Sequence, residues 1–486
     1  MFTLTDTSSI SAARPAPDRL LVELASYAAN YDAASALARE TACHCLLDSL
    51  ACALQALKFT ACTKLLGPVV PGATMPRGAR VPGTSYELDP VQAAFNFGTM
   101  IRWLDFNDTW LAAEWGHPSD NLGAILPVAD YLSRRALAEA RPPPTVRDVL
   151  RRLIQAYEIQ GVLALDHAFN RVGLDHVLLV RVASTAVVTA MLGGTQAQIV
   201  DALSNAWLDG GALRAYRHAP NAGSRKSWAA GDAASRAVRL AFMTMAGEMG
   251  YPSALTAPVW GFHDVLFKRR PITLGQLLGC HVTENVLFKL AHPAEFHAQT
   301  AVEAALQLHP VVQERLDEVE RIVIETQEAG VRILDKAGPL ANPADRDHCL
   351  QYVVAVALIF GRLNAGDYED SIASDPRIDA LRAKMLVAGN PAFTASTADP
   401  AQRGIPNAVQ VFFRDGSATE RVQVDCPVGH PRRRSEGLPL LVRKFEASVT
   451  AHFPRVQAAK IKTLFADRAR LEALPVNQIV SLLVRN

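Results

Sequence analysis

The 486-residue sequence lacks any uninterrupted apolar run of the ~18–20 residues that a helix needs to cross a bilayer. The longest candidate, 176–194, is broken by Arg181, Ser184 and Thr185. The N-terminus, MFTLTDTSSISAARPAPDR, lacks a basic patch followed by an apolar stretch, so it does not read as a secretory signal. Residues 1–17 read as a flexible tail, and the cytoplasm is the expected location. A charge excess is missing too. Forty-nine basic side chains face 48 acidic ones, a net charge of +1. That balance excludes a general nucleic-acid binder, which needs a basic face, but it permits a compact positive pocket for a small anion. No Walker loop occurs, no Gly-x-Gly-x-x-Gly follows a strand, and no Gly-x-Ser-x-Gly elbow is present. Nucleotide cofactors and serine hydrolysis are therefore not expected.

Cysteine is sparse: seven residues, none in Cys-x-x-Cys. An odd count without an export signal reads as free thiols. Cys43, His44, Cys45 and Cys52 cluster in the apolar stretch LARETACHCLLDSLACALQAL, where cysteine behaves as a small hydrophobe. The expectation is no metal, no iron–sulfur cluster and no cofactor.

Hydrophobic residues make up 49% of the chain and charged residues 20%, enough for a sizeable packed core. Residues 18–274 read as helical. Asp18 precedes LLVELASYA. Pro142-Pro143-Pro144 ends one helix, and Thr145 with Asp148 has the spacing of a capping box. Apolar residues at 150, 153, 154 and 157 then follow a helical period. Ser224–Gly247 predicts a helix rich in small residues, suited to the inside of a bundle.

The texture changes near residue 275. VERIVIETQEA, from Val319, reads as a strand, and 409–424 as a hairpin turning at Asp415-Gly416. Helical stretches at 297–309 and 346–363 lie between them. Residues 275–434 thus read as an inserted α+β lid domain, and 435–486 as a helical return. The fold class expected is mainly α: a large all-helical domain plus a smaller α+β lid.

Three segments carry residue types suited to acid–base chemistry. If 105–109 forms a helical turn, Asp105 and Thr109 share a face. A turn at Gly116 and Pro118 would swing His117 back toward them. An Asp beside a His tunes an imidazole for proton transfer, although Ser119 or Asp120 capping the next helix is the blander explanation. Arg225 and Lys226 open the small-residue helix, where cations oppose the dipole; an anion between them would resolve the conflict, and so would solvent exposure. Lys289, His292, Glu295 and His297 lie within nine residues, without the His-Glu-x-x-His register of a zinc site. Tyr352 on an apolar helix reads as a satisfied core tyrosine, and His176 beside a helix break at Gly173 as structural.

LDFNDTWLAAEWGHPSDNLGAILPVADYL, SRKSWAAGDAASRAVRLAFM, LFKLAHPAEFHAQTAVEAA, DHCLQYVVA and GHPRRRSEGLPLL together resemble the MmgE/PrpD family, over about residues 18–480. The resemblance implies a homodimer whose active site lies in the cleft between a helical domain and a lid, working without metal. It implies removal of water from the tricarboxylic acid 2-methylcitrate in propionate catabolism. Catalytic roles are implied for Asp105, His117, His176, Lys226 and Tyr352, and substrate-binding roles for Thr109, Arg225, Lys289, Glu295 and His297. The usual Pro-rich context of the second pocket histidine is absent around His176. Glu295 stands where the decarboxylase branch has a histidine, which favours dehydration. Two other readings remain open. One is decarboxylation or isomerisation on the same scaffold; the other is a non-catalytic helical carboxylate binder, which would bind without turnover.

Overall fold

A computed structural model describes residues 12–399 and 402–485. Residues 1–11 of the expected tail lie outside the described residues. Arg14 donates to the Gly250 carbonyl at 2.6 Å, so part of the segment before the first helix is tied down.

The described helices of eleven or more residues are α1 (Arg19–Asn30), α2 (Ala36–Ala56), α3 (Pro90–Arg102), α4 (Leu122–Ala138), α5 (Val146–Asp166), α6 (Val177–Met191), α7 (Gln196–Leu208), α8 (Arg225–Met245), α9 (Gln299–Val312), α10 (Leu350–Phe360), α11 (Arg434–His452) and α12 (Arg455–Ala466). Local signals explain several starts. Thr145 and Asp148 form the capping box of α5. Asp89 caps α3 through the amides of Val91 and Gln92, with Pro90 at the first position. Asp18 precedes α1 but does not cap it; its carboxylate accepts from the Leu255 amide at 2.7 Å and from the Thr256 hydroxyl.

Helices α3 and α8 cross at the centre of the helical body. A Cβ on Gly231 would lie 2.5 Å from the Phe95 carbonyl oxygen, and one on Gly98 2.8 Å from the Gly231 Cα. Only glycine permits that approach, and it brings the C-terminus of α3 near the N-terminus of α8. The helical body from Leu20 to Leu290 shares one apolar core with the return helices, through Leu441, Phe445 and Val449.

The smaller unit has its own core, where α9 packs on a four-stranded sheet and α10 packs on α9. The strands are β1 (Val319–Thr326), β2 (Met385–Gly389), β3 (Asn407–Phe413) and β4 (Val422–Val424), in the order β2-β1-β3-β4. β1 pairs parallel with β2 (Ile322 beside Met385) and antiparallel with β3 (Ile322 beside Val411). β3 and β4 are the hairpin, with Gly416 at φ +84° in its turn. No helix among the described residues is long and apolar enough to cross a membrane.

Candidate active site

The site begins where α3 ends. Residues 105–109 are not a helical turn: Asp105 has φ +47°, and Thr109 pairs with Leu287 in an antiparallel bridge. Aspartate tolerates the left-handed region better than most residues. The bridge has a consequence for chemistry. Thr109 N donates to Leu287 O at 2.7 Å and Leu287 N to Thr109 O at 2.9 Å. Lys289, two residues further, is thereby delivered to Asp105. Its Nζ donates to Asp105 Oδ1 at 2.6 Å and to the Asp105 carbonyl at 2.7 Å. Arg102 Nη1 donates to the same Oδ1 at 2.6 Å.

The chain returns through a second bridge, Trp110 to Gly116, which swings His117 back over Asp105. His117 Nε2 lies 3.6 Å from Asp105 Oδ1, and Nδ1 lies 2.7 Å from the Asp108 carbonyl. A carbonyl only accepts, so Nδ1 carries the proton and Nε2 presents a lone pair. Thr109 Oγ1 stands 3.4 Å from His117 Nδ1.

The opposite wall comes from the smaller unit. Asp347 and His348 sit just before α10 and meet Lys226, the second residue of α8. Lys226 Nζ contacts Asp347 Oδ1, the Ala344 carbonyl at 2.9 Å and His348 Nδ1 at 2.9 Å. His348 Nε2 lies 3.8 Å from Asp105 Oδ2. Asp105 therefore has one imidazole from each unit, His117 against Oδ1 and His348 against Oδ2.

A third group adjoins these. The His176 ring lies 5.6 Å from that of His117, and both its nitrogens are buried without a hydrogen bond, Nδ1 lying 3.4 Å from Asp175 Oδ1. Asp175 beside it is paired with Arg217, with Arg214 at 3.8 Å. Arg102 Nε and Arg214 Nη1 are also buried without a hydrogen bond, although Arg214 Nη1 lies 3.8 Å from both Asp175 and Glu114. Glu295 accepts from the His297 amide at 2.7 Å and contacts His297 Nδ1 at 2.9 Å. Trp115 meets the His297 ring edge and lies under Arg214. It also lines a cleft of about 350 Å³ between the two units, with Asn170 and Arg171 on one side and Gln327 and Arg332 on the other.

Burial and charge compete throughout. Burial raises the Asp105 carboxyl, but Arg102 and Lys289 outweigh it and hold the group well below the usual range. Burial likewise opposes ionisation of Asp347, yet Lys226 and His348 keep it low. Lys226 and Lys289 are both lowered by burial, against the pull of Asp347 and Asp105. Burial also pushes down His117, His176 and His348. Glu295 is pulled to about 2 because His297 outweighs its burial.

Asp105, Asp347 and His348 bring ligand-type atoms within 4.8 Å of one another, the geometry of a possible cation set. Each carboxylate in it already touches an ammonium group. A divalent ion there would face two lysines and Arg102, so the local charge suits an anion better.

Two residues named from the sequence point elsewhere. Arg225 is 41% exposed, lies 4.3 Å over the Trp228 ring and is 3.5 Å from Asp232. The carboxylate beside this pair is Asp347, and of the two cations it takes Lys226. Arg225→Ala is expected to change kcat/KM less than about fivefold, the scale of ~1 kcal/mol for an exposed ion pair. A hundredfold loss in steady-state kinetics would show that Arg225 reaches the substrate. Tyr352 donates its hydroxyl to the Asp367 carbonyl at 2.6 Å. Arg102, Arg214, Arg217, Asp347 and His348 escaped selection by spacing. Arg102 meets Asp105 three residues away, but the ion pairs that tie Arg214, Arg217, Asp347 and His348 to other segments of the site span from 39 residues (Arg214 to Asp175) to 243 (His348 to Asp105), and only the Asp-His pair in DHCLQYVVA gave a local signal.

Comparison with known proteins fits this architecture. A family model described as the MmgE/PrpD N-terminal domain matches residues 22–275, and one for the MmgE/PrpD C-terminal domain matches 292–468. A 2-methylcitrate dehydratase of Cupriavidus necator is 58% identical, covering 98% of this chain and 99% of its own. One from Escherichia coli K12 is also 58% identical, over 98% and 100%. A mitochondrial 2-methylcitrate dehydratase of Yarrowia lipolytica is 52% identical, over 97% and 91%. With both halves matched in order and these relatives aligned end to end, the chain belongs to the MmgE/PrpD family.

Proposed function

We propose that this chain is a hydro-lyase that removes water from 2-methylcitrate to give 2-methyl-cis-aconitate, with citrate as a second substrate. The observation that carries the reading is the convergence on Asp105 of two imidazoles and two cations, from both units, in a buried site. The near-full-length relatives named for this activity supply the substrate.

The chemistry has two demands. A weakly acidic proton beside a carboxylate must be removed, and the β-hydroxyl must leave as water. His117 Nε2, with its proton-free lone pair, suits the base. Asp105 suits it less, because two cations hold its carboxylate charge. Positive groups must also stabilise charge building on the substrate carboxylate as the proton leaves. Lys289 and Lys226 supply point charges. Arg102 Nε, Arg214 Nη1 and the nitrogens of His176, all buried without a hydrogen bond, are atoms that substrate carboxylates would satisfy. The site needs no metal in this reading. A homodimer is the assembly that the family resemblance supports, and sedimentation would read it.

The test is turnover of the purified chain. 2-Methylcitrate should produce the ultraviolet absorbance of a conjugated alkene, without carbon dioxide, and chelator should not slow it. Absence of alkene from both 2-methylcitrate and citrate would overturn the reading. Carbon dioxide release would point to decarboxylation, and inactivation by chelator would overturn metal independence.

The acid limb of activity is a further prediction. Burial, then Arg102, lowers the His117 pKa well below 6.5. A lowered pKa keeps the base unprotonated to lower pH, so kcat/KM should stay flat as pH falls through 6.5 and decline only below it. Half-loss at or above pH 6.5 would remove His117 as the base.

A further inference from the structure

We propose that Lys226 and His348 form a proton relay that delivers the acid to the departing hydroxyl, with His348 as the residue that touches it. This rests on the dehydration reading above and assigns its second half.

The hydrogen-bond count supports the direction. An ammonium has three N–H donors. Lys226 Nζ meets three acceptors: the Ala344 carbonyl, Asp347 Oδ1 and His348 Nδ1. Asp347 Oδ1 also lies 2.9 Å from His348 Nδ1, but a proton on Nδ1 would confront the ammonium at 2.9 Å; the relay therefore assigns Nδ1 as the acceptor of Lys226 and puts the His348 proton on Nε2. That atom faces Asp105 Oδ2 across the site at 3.8 Å. His117 has the opposite tautomer, its Nδ1 proton on the Asp108 carbonyl and its Nε2 bare. One imidazole is thus set to take a proton and the other to give one, on the two oxygens of a single carboxylate. The relay crosses between units: Lys226 belongs to the helical body, and Asp347 and His348 to the smaller unit. Tyr352 does not supply this proton, because its hydroxyl is engaged by Asp367.

The step balances. His117 Nε2 takes the proton from the carbon beside the carboxylate. The C–H pair becomes the new C=C bond, and the C–O bond breaks with its pair on oxygen. His348 Nε2–H protonates that oxygen to water while Lys226 passes a proton to Nδ1. Lys226 ends as an amine and His117 as an imidazolium; exchange with solvent restores both. Burial lowers the Lys226 pKa against the pull of Asp347 and Asp105, which eases loss of the proton from this ammonium. The charged and titratable groups acting on His348 are Lys226, Asp347, Asp105 and Glu295.

The experiment compares two leaving groups. Hydroxide needs an acid to leave; fluoride needs little. On 2-methylcitrate, His348→Gln should lose about 10²–10⁴-fold in kcat, the span of general acid–base catalysis. On the analogue with fluorine in place of the tertiary hydroxyl, its rate of fluoride release should stay within tenfold of the parent. His117→Gln should lose both reactions. Equal losses on both substrates, or His348→Gln dehydrating like the parent, would overturn the relay while leaving the dehydratase reading intact. No turnover by the parent would remove both. If His348→Gln fails to fold, ¹⁵N NMR of the parent histidines decides: an Nε2–H tautomer at His348 supports the relay, and Nδ1–H overturns it.

Discussion

Asp105→Asn should abolish dehydration and lower folding stability by about 3–5 kcal/mol, the cost of stripping a buried ion pair of one charge. Arg102 and Lys289 are 2% and 1% exposed, and both spend a donor on Asp105 Oδ1. Asparagine keeps the shape and accepts φ +47° nearly as well as aspartate, so the change isolates the charge. Its amide oxygen, placed at Oδ1, still accepts from both cations, but it carries no charge, and its NH₂ then stands where Oδ2 faces His348. Both histidines also lose the carboxylate between them. The pH dependence has a definite sign. The Asp105 pKa is depressed in the fold, so its stabilisation is complete above the unfolded value of about 3.9 and is lost as pH falls through the lower folded value. Chemical denaturation should show a constant gap between parent and variant near neutrality that narrows below pH ~4. Equal stability at pH 7, or activity within tenfold of the parent, would refute the central role given to this carboxylate.

Much of the site was legible from local pattern because the chemistry lies at element ends. Lys226 opens a small-residue helix, and His117 follows a Gly that turns the chain. The secondary structure of 105–109 was not legible. A helical turn would put Asp105 and Thr109 on one face; the observed chain instead sets each beside a different nitrogen of His117, and the bridge to Leu287 explains how Lys289 arrives. That pairing joins segments 178 residues apart, and no periodicity within either segment encodes it. Arg225 shows the same limit. Adjacent residues on a helix point about 100° apart, so only one of the two cations could face the cleft. Which one depends on the packing of α8 against α3 and α6, set by Gly231 and its alanines rather than by the cations themselves. Asp347 and His348 were visible as residues but not as a site, because their partner Lys226 lies 121 and 122 positions away.

Lys444 is where the return helices reach this chemistry, and Lys444→Met is the second large effect expected. From α11 its Nζ donates to Asp48 Oδ1 at 2.7 Å, the Phe106 carbonyl at 2.7 Å and the Lys289 carbonyl at 3.0 Å. All three donors are thus used, in a side chain 4% exposed. Two of the acceptors belong to the backbone that carries Asp105 and Lys289. Removing the ammonium strands a carboxylate that burial has already raised to about 6, at a cost of about 3–5 kcal/mol. It also frees the two carbonyls to shift, and a 1 Å misplacement at a reacting centre can lower kcat about 10²-fold. The two consequences separate in the double variant Asp48→Leu/Lys444→Met. Apolar replacement of a whole buried pair is often neutral, so denaturation should show stability largely restored. The carbonyl clamp stays missing, so kcat should remain low while KM moves less. If the double variant recovers kcat along with stability, Lys444 only fills the core, and the geometry of Asp105 and Lys289 is set without it.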